Sequence, residues 1–140
     1  MRCAKPLLLV EDNADDAMIL KRALAQLGLG EKMVHAPSAE LALMHLRSTA
    51  KEKPALILLD LNMPNMSGIE FLQTLKNDPG LAAIPVVVLT ASDDQRDVRQ
   101  SFDLHAAGYI VKPFDYEAAV KALKIIEEYW SLNHLPAPHA

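Results

Sequence analysis

The chain has 140 residues and a formal net charge of −4, with 51% hydrophobic and 23% charged residues. This length supports one hydrophobic core, and the composition argues against disordered or fibrous architectures. A mildly acidic chain without clustered Lys and Arg is not expected to bind nucleic acid. Because no stretch approaches the ~18 apolar residues of a membrane span, we expect a soluble, cytoplasmic protein without membrane contact.

Short apolar segments alternate with amphipathic segments along the whole chain. The apolar segments predict strands over residues 6–10, 32–35, 55–59, 84–89 and 108–111. The amphipathic segments predict helices over 14–27, from a Ser38 cap to about 47, over 68–76, over 94–106 and from 115 onward. In the fourth of these helices, Val98 and Phe102 are expected to face the core.

The order of these elements predicts a doubly wound α/β fold with a five-stranded parallel sheet and helices on both faces. The segments ALILL and VVVL are apolar throughout, which is typical of strands covered on both faces. We expect one domain over residues 1–130 and a short tail over 131–140. In such folds ligands bind beyond the carboxyl ends of the strands.

Polar residues follow four of the predicted strands: Glu11, Asp12, Asp60, Thr90 and Lys112. Each alone could be an ordinary loop residue, but together they place three carboxylates, a hydroxyl and an ammonium at one edge of the sheet. Carboxylates this close repel one another and favour a bound cation, and oxygen ligands favour Mg²⁺. The pattern therefore predicts a phosphoryl-transfer site with Asp60 as nucleophile.

Four segments closely resemble the receiver domains of two-component response regulators: LLLVEDNADD, LILLDLNMPNMSGIEFL, VVVLTAS and AAGYIVKPF. The spacing also agrees with that family, since Thr90 follows Asp60 by 30 residues and Lys112 follows it by 52. The resemblance implies a flavodoxin-like sheet with strand order 2-1-3-4-5. It also implies that Asp60 is the phosphoacceptor and that the Lys112–Pro113 peptide is cis.

The same resemblance assigns roles to the neighbouring residues. Glu11 and Asp12 would bind Mg²⁺ together with Asp60 and the backbone carbonyl of Asn62. Thr90 and Lys112 would contact the phosphoryl oxygens. Thr90 would also act with Tyr109 as a switch, in which the aromatic ring turns inward after phosphorylation. On its pattern alone, Tyr109 is equally compatible with a half-buried strand aromatic that has no such role.

The implied reaction transfers a phosphoryl group from a phosphohistidine on a sensor histidine kinase to Asp60. The chain would then be a stoichiometric acceptor instead of a turnover enzyme. Because only about ten residues follow Trp130, we expect its output to be protein contact. The segments EEYWSLNHLP and SFDLHAAGY resemble the single-domain regulators of cyanobacterial and bacterial phytochromes, which implies a bacteriophytochrome as a possible kinase.

The last predicted helix has two apolar stripes. One is expected to face the core and comprises Tyr116, Ala119, Val120, Leu123, Ile126 and Trp130. The second lies on the other side of the helix and comprises Ala118, Ala122, Ile125, Tyr129 and Leu132. Since a surface helix needs only one buried stripe, the second predicts a homodimer interface. Alternatively, residues 131–140 fold back and cover it.

Three other functions are compatible with parts of the pattern. An aspartyl-phosphate phosphatase would share the nucleophile, but such enzymes place a second Asp where this chain has Asn62, and an amide cannot transfer the proton. A nucleotide- or flavin-binding module is disfavoured because the glycines form no phosphate-binding loop. A receiver that acts only as a scaffold would not need complete active-site chemistry.

Overall fold

The fold was obtained as a computed structural model that describes residues 6–112 and 115–132. The strands are β1 (Leu7–Val10), β2 (Met33–Ala36), β3 (Leu56–Leu59), β4 (Val86–Thr90) and β5 (Gly108–Val111). They form one parallel sheet in the order β2-β1-β3-β4-β5, which confirms the predicted fold class and strand order. The Lys112–Pro113 peptide and residues 133–140 of the predicted tail lie outside the described residues.

Five helices connect and follow the strands: α1 (Ala14–Gln26), α2 (Ala39–Arg47), α3 (Gly68–Lys76), α4 (Gln95–Asp103) and α5 (Tyr116–Leu132). A short 3₁₀ turn, Gly30–Lys32, precedes β2. Helices α2 and α3 share one apolar core with one face of the sheet, and α1 and α5 share a second core with the other face. Within the described ranges, no helix is long and apolar enough to cross a membrane.

Strands β1 and β3 are apolar throughout because successive side chains enter different cores. In β1, Leu8 and Val10 pack in the core with α2 and α3, whereas Leu9 packs in the core with α1 and α5. The same alternation holds in β3, where Ile57 and Leu58 point to opposite cores. A polar residue within these strands would therefore be buried whichever face it took.

Two element boundaries differ from the sequence prediction by two or more residues, each for an identifiable reason. The strand predicted from residue 84 begins at Val86, because Pro85 has no amide hydrogen to donate to the ladder. The fourth helix, predicted over 94–106, ends at Asp103, and His105 beyond it has a positive φ of 64° that no α-helix continues.

The prediction that Phe102 in α4 faces the core was wrong. Phe102 is 48% exposed, and the buried side chain of this helix is that of Ser101. The Ser101 hydroxyl donates a 2.8 Å hydrogen bond to the backbone carbonyl of Asp97, which satisfies its buried polar group. Phe102 therefore adds an apolar side chain to the surface.

Candidate functional site

The carboxyl ends of β1 and β3 bring two acidic residues side by side. Val10 and Leu59, the last residues of these strands, are paired in the ladder, so Glu11 and Asp60 follow them at the same level. The backbone N–H of Asp60 donates to the Val10 carbonyl at 3.0 Å, which fixes the position of its Cα. Asp60 is 5% exposed and Glu11 is 1% exposed.

Three carboxylates form an acidic cluster, defined here as Glu11, Asp12 and Asp60. One oxygen from each lies within 4.8 Å of the others, and Asp12 is exposed to solvent. Carboxylates at this separation repel one another strongly in a low-dielectric site, so the cluster favours a cation. Three oxygen ligands on a partly open site are the donor set that suits a hard dication. The residues present therefore fit a magnesium or manganese ion.

Lys112 contributes the positive charge that the cluster contacts directly. Its backbone N–H donates to the Thr90 carbonyl at 2.7 Å, and this places its side chain beside the cluster. The ammonium lies 2.5 Å from Glu11 Oε1 and 3.5 Å from Asp60 Oδ2, with the side chain only 12% exposed. A third carboxylate, Asp16 Oδ2, lies 2.8 Å from the same nitrogen.

The buried charged groups of the site shift one another's pKa values. Burial, reinforced by the neighbouring Asp60, raises the pKa of Glu11 to about 7 against the lowering effect of the hydrogen bond from Lys112. Burial alone would lower the pKa of Lys112, but the hydrogen bonds to Asp16 and Glu11 and the charge of Asp60 raise it above its ordinary value. Lys112 is thus a permanent cation, whereas Glu11 is poised to change its charge.

The loop after β3 closes tightly on Asp60. The backbone N–H of Asn62 lies 3.4 Å from Asp60 Oδ1, a long contact that orients the carboxylate. A Cβ on Gly68, the first residue of α3, would overlap the Asp60 carbonyl and lie 2.5 Å from Leu61 Cα. Only glycine therefore lets α3 begin this close to the site.

Thr90 is the last residue of β4, and Tyr109 lies in β5, the neighbouring strand. Thr90 is fully buried, and its Oγ1 has no hydrogen-bond partner in the part of the chain that the structure describes. Tyr109 is half-buried against the core, and its hydroxyl donates to the Ser92 carbonyl at 2.8 Å. A buried hydroxyl without a partner is unusual, and it marks Thr90 as a donor available to an incoming group.

Sequence reasoning missed three residues of the site. Asp16 pairs with Lys112, Gly68 makes room for Asp60, and His35 Nε2 lies 2.8 Å from the backbone carbonyl of Glu11. The only sequence signal for Gly68 was a glycine at a helix start, where it is otherwise unfavourable. Asp16 and His35 carried no signal, because their partners are 96 and 24 residues away.

The two stripes of α5 are separated as expected. Ala119, Leu123 and Ile126 are buried, and the rest of the first stripe packs against the same core. In the second stripe, the large side chains are exposed, with values of 58% for Ile125, 58% for Tyr129 and 81% for Leu132; Ala118 and Ala122 are partly exposed. The second stripe is thus not covered by the described residues.

The fold and site together define a class of protein. The family profile of the response regulator receiver domain matches residues 7–124, and the chain belongs to this family. Receiver domains are signalling domains of two-component systems that work with a histidine kinase, and they bind Mg²⁺ or Mn²⁺ at an acidic site. Response regulators built from them are generally not enzymes.

Individual members of the receiver family are similar to this chain over most of their length. The probable methanogenesis regulatory protein FilR2 of Methanothrix harundinacea is 37% identical over 136 residues, 94% of this chain and 88% of that protein. Response regulator Rcp1 of Synechocystis is 34% identical over 130 residues, 90% of this chain and 88% of that protein. The Mn²⁺-bound Rcp1 structure superimposes with a TM-score of 0.85 and 34% identity over 95% of this chain and 99% of that chain.

A third similar protein is a response regulator whose structure was determined in its phosphorylated form. The structure of the phosphorylated cyanobacterial phytochrome response regulator RcpA superimposes with a TM-score of 0.87 and 38% identity. The superposition covers 96% of this chain and 100% of that chain. The chain is thus a receiver related to phytochrome response regulators, and its acidic cluster is compatible with phosphorylation and Mg²⁺.

Proposed function

We propose that this chain accepts a phosphoryl group from a phosphohistidine of a sensor histidine kinase onto the side chain of Asp60, with Mg²⁺ as cofactor. The observation that carries the proposal is the convergence of the acidic cluster and Lys112 at the carboxyl edge of the sheet. Asp60 is the suitable nucleophile because Glu11 is tied to Lys112 by a 2.5 Å contact and Asp12 is exposed.

In the transfer, a carboxylate oxygen of Asp60 forms a bond to phosphorus while the phosphorus–nitrogen bond to the kinase histidine breaks. The histidine nitrogen keeps the electron pair of that bond, and Asp60 becomes an acyl phosphate. The hydrogen bond from the Asn62 N–H to Asp60 Oδ1 orients the carboxylate.

Mg²⁺ would be held by Glu11, Asp12 and Asp60, together with the backbone carbonyl of Asn62. When bound, it supplies positive charge that neutralises the oxygens of the transferring group. The chain's own cation, Lys112, would contact the same oxygens, since its ammonium already lies 3.5 Å from Asp60 Oδ2. Thr90 adds a hydroxyl donor that has no other partner among the described residues.

The switch would couple Thr90 to Tyr109. If the Thr90 hydroxyl moves towards the phosphoryl oxygens, it leaves space on the face of the sheet that Tyr109 shares, because Tyr109 pairs with Val88, two residues before Thr90. The Tyr109 hydroxyl already reaches the Ser92 carbonyl, in the loop that connects β4 to α4. A change at Asp60 would thereby reach the surface formed by α4, β5 and α5.

The chain is expected to act as a stoichiometric acceptor and not as a turnover enzyme. Asn62 stands where an aspartyl-phosphate phosphatase would need an acid or base, and its amide cannot transfer a proton. The phosphorylated state would therefore last long enough to be recognised by a partner.

The kinase is proposed to be a phytochrome-type sensor such as a bacteriophytochrome. Support comes from the relation to RcpA, a phytochrome response regulator that is 38% identical, and from the likeness to Rcp1. A sensor kinase draws its phosphoryl group from ATP in the cytoplasm, so the proposal places this chain there as well.

The second stripe of α5 is proposed to pair with the same stripe of another copy. This pairing is supported by three large apolar side chains on one helix face, each more than half exposed, which two copies would bury against each other across a two-fold axis. Signal output would then occur through contact between proteins.

Phosphotransfer profiling tests the function. Autophosphorylated candidate kinases, including bacteriophytochromes, are mixed with the chain in the presence of Mg²⁺, and label is followed from kinase to receiver. Rapid transfer from one kinase supports the proposal, and failure of acceptance from every kinase and from acetyl phosphate contradicts it.

A further inference from the structure

Lys112 is held mainly by two carboxylates, and only one of them belongs to the acidic cluster. Its ammonium lies 2.5 Å from Glu11 and 2.8 Å from Asp16, and farther, at 3.5 Å, from Asp60. Asp16 is not a member of the acidic cluster, and its side chain is 40% exposed. The lysine thus bridges the cluster and a carboxylate outside it.

This arrangement creates a competition for Glu11. A carboxylate oxygen in close contact with an ammonium cannot offer the same lone pair to a metal ion, so Lys112 and a bound dication compete for it. Lys112 is only 12% exposed, and an ammonium in such a position is costly to leave unpaired. When a dication takes Glu11, the lysine therefore needs another partner.

Asp16 is placed to be that partner. It lies in the first turn of α1, where its backbone N–H donates a 2.9 Å hydrogen bond to Asn13 Oδ1, so its position is set by the helix cap. Ile19, Leu20 and Ala119 line the same small pocket as Asp16 and Lys112, and their apolar side chains contain no hydrogen-bond acceptor.

We propose that Asp16 is a positioning residue that holds the ammonium of Lys112 when Glu11 is transferred to the dication. Asp16 thereby keeps the lysine from blocking the acidic cluster and keeps it within reach of Asp60. The inference rests on the proposed function, because it assumes a dication at the cluster. It adds a fourth carboxylate to the site, one that acts on the lysine and not on the metal.

The test is a double-mutant cycle measured as Mg²⁺ affinity by isothermal titration calorimetry. Asp16→Asn is compared with Asp15→Asn, which removes the same charge from an exposed neighbour in the same turn. Without its outside partner, Lys112 holds the cluster more tightly, so Asp16→Asn should weaken Mg²⁺ binding about fivefold more than Asp15→Asn does. In a Lys112→Ala background, the two variants should agree within about twofold.

The outcomes separate this inference from the proposed function. If the wild type binds Mg²⁺ but Asp16→Asn behaves like Asp15→Asn, the positioning role is wrong and the proposed function stands. The role is also wrong if the excess effect of Asp16→Asn persists without Lys112, because Asp16 then acts on the dication itself. If the wild type binds no Mg²⁺, both fail. Since the Asp16 side chain takes no part in the helix cap, the Asn variant is expected to fold, and thermal unfolding checks this.

Discussion

The hydroxyl of Tyr109 donates a 2.8 Å hydrogen bond to the backbone carbonyl of Ser92, two residues beyond Thr90. The bond ties β5 to the loop that leads into α4. Ser92 in turn donates from its own hydroxyl to Asp97 Oδ2 at 2.6 Å, so the tie continues into the helix. A chain of polar contacts thus runs from the edge of the site to α4.

Tyr109→Phe tests the first link of this chain. The substitution keeps the ring and removes only the hydroxyl, so unfolding by urea should show a loss of about 1 kcal/mol. A stability equal to that of the wild type would mean that the Tyr109 hydrogen bond contributes no net stability.

Thr90→Val separates the structural role of Thr90 from its proposed role. Its hydroxyl is buried without a partner among the described residues, so removing it should leave the stability of the unphosphorylated protein unchanged or raise it by about 1 kcal/mol. The stabilisation that beryllium fluoride, a phosphoryl mimic, gives in thermal unfolding should decrease. Thr90→Ser should retain this stabilisation. A marked loss of stability in the unphosphorylated Val variant would instead show that the hydroxyl has a structural partner.

Much of this site follows from the sequence because parallel strands end at one edge. Once the strand ends are known, Glu11, Asp60 and Lys112 must converge, whatever the details of packing. The pairing of Lys112 with Asp16 could not be predicted in this way, since Asp15 and Asp16 are equivalent in sequence. Only the start and rotation of α1 decide which of the two faces the lysine.

The inward side of α4 was also hard to predict from the sequence. The helix contains only two large apolar residues, Val98 and Phe102, which are too few to identify the side that faces the protein. A buried Ser101 with a local backbone acceptor took the inward position, and Phe102 became exposed. By contrast, the apolar spacing of α5 identified its core stripe correctly, because Leu123 and Ile126 have no polar competitors on that face.

The raised pKa of Glu11 predicts a pH dependence of stability. In the unfolded chain, the Glu11 carboxyl loses its proton near its ordinary pKa of 4.5. In the folded protein, it keeps the proton up to about pH 7. Between these values the folded state binds more protons, so stability should fall as pH rises, by up to about 3 kcal/mol, and level off above.

Comparison with Glu11→Gln isolates this effect, because the variant has no proton to lose. Both proteins are unfolded by urea in the presence of a chelator. The free energy of unfolding of the wild type, relative to that of Glu11→Gln, should decrease from about pH 4.5 to pH 7. Glu31→Gln, at an exposed carboxylate, should track the wild type. A constant difference across this range would mean that Glu11 is charged throughout.

Ile125→Glu tests the proposed dimer. A buried, unpaired carboxylate at the centre of an apolar interface should shift the chain from dimer to monomer in size-exclusion chromatography with light scattering. The adjacent, exposed Lys124→Glu also introduces a carboxylate, but outside the second stripe, and should remain dimeric. If wild type and Ile125→Glu are both monomers, or both the same dimer, the stripe does not mediate pairing.

The most direct test of the account is the phosphorylation of Asp60 itself. Wild type and Asp60→Asn are incubated with acetyl phosphate and Mg²⁺, and intact-mass spectrometry measures the phosphoryl group gained. The substitution is close to isosteric, and thermal unfolding verifies that the variant is folded. We expect a single phosphoryl group on the wild type and none on Asp60→Asn. Equal labelling of both proteins would contradict the assignment of Asp60 as the phosphoacceptor.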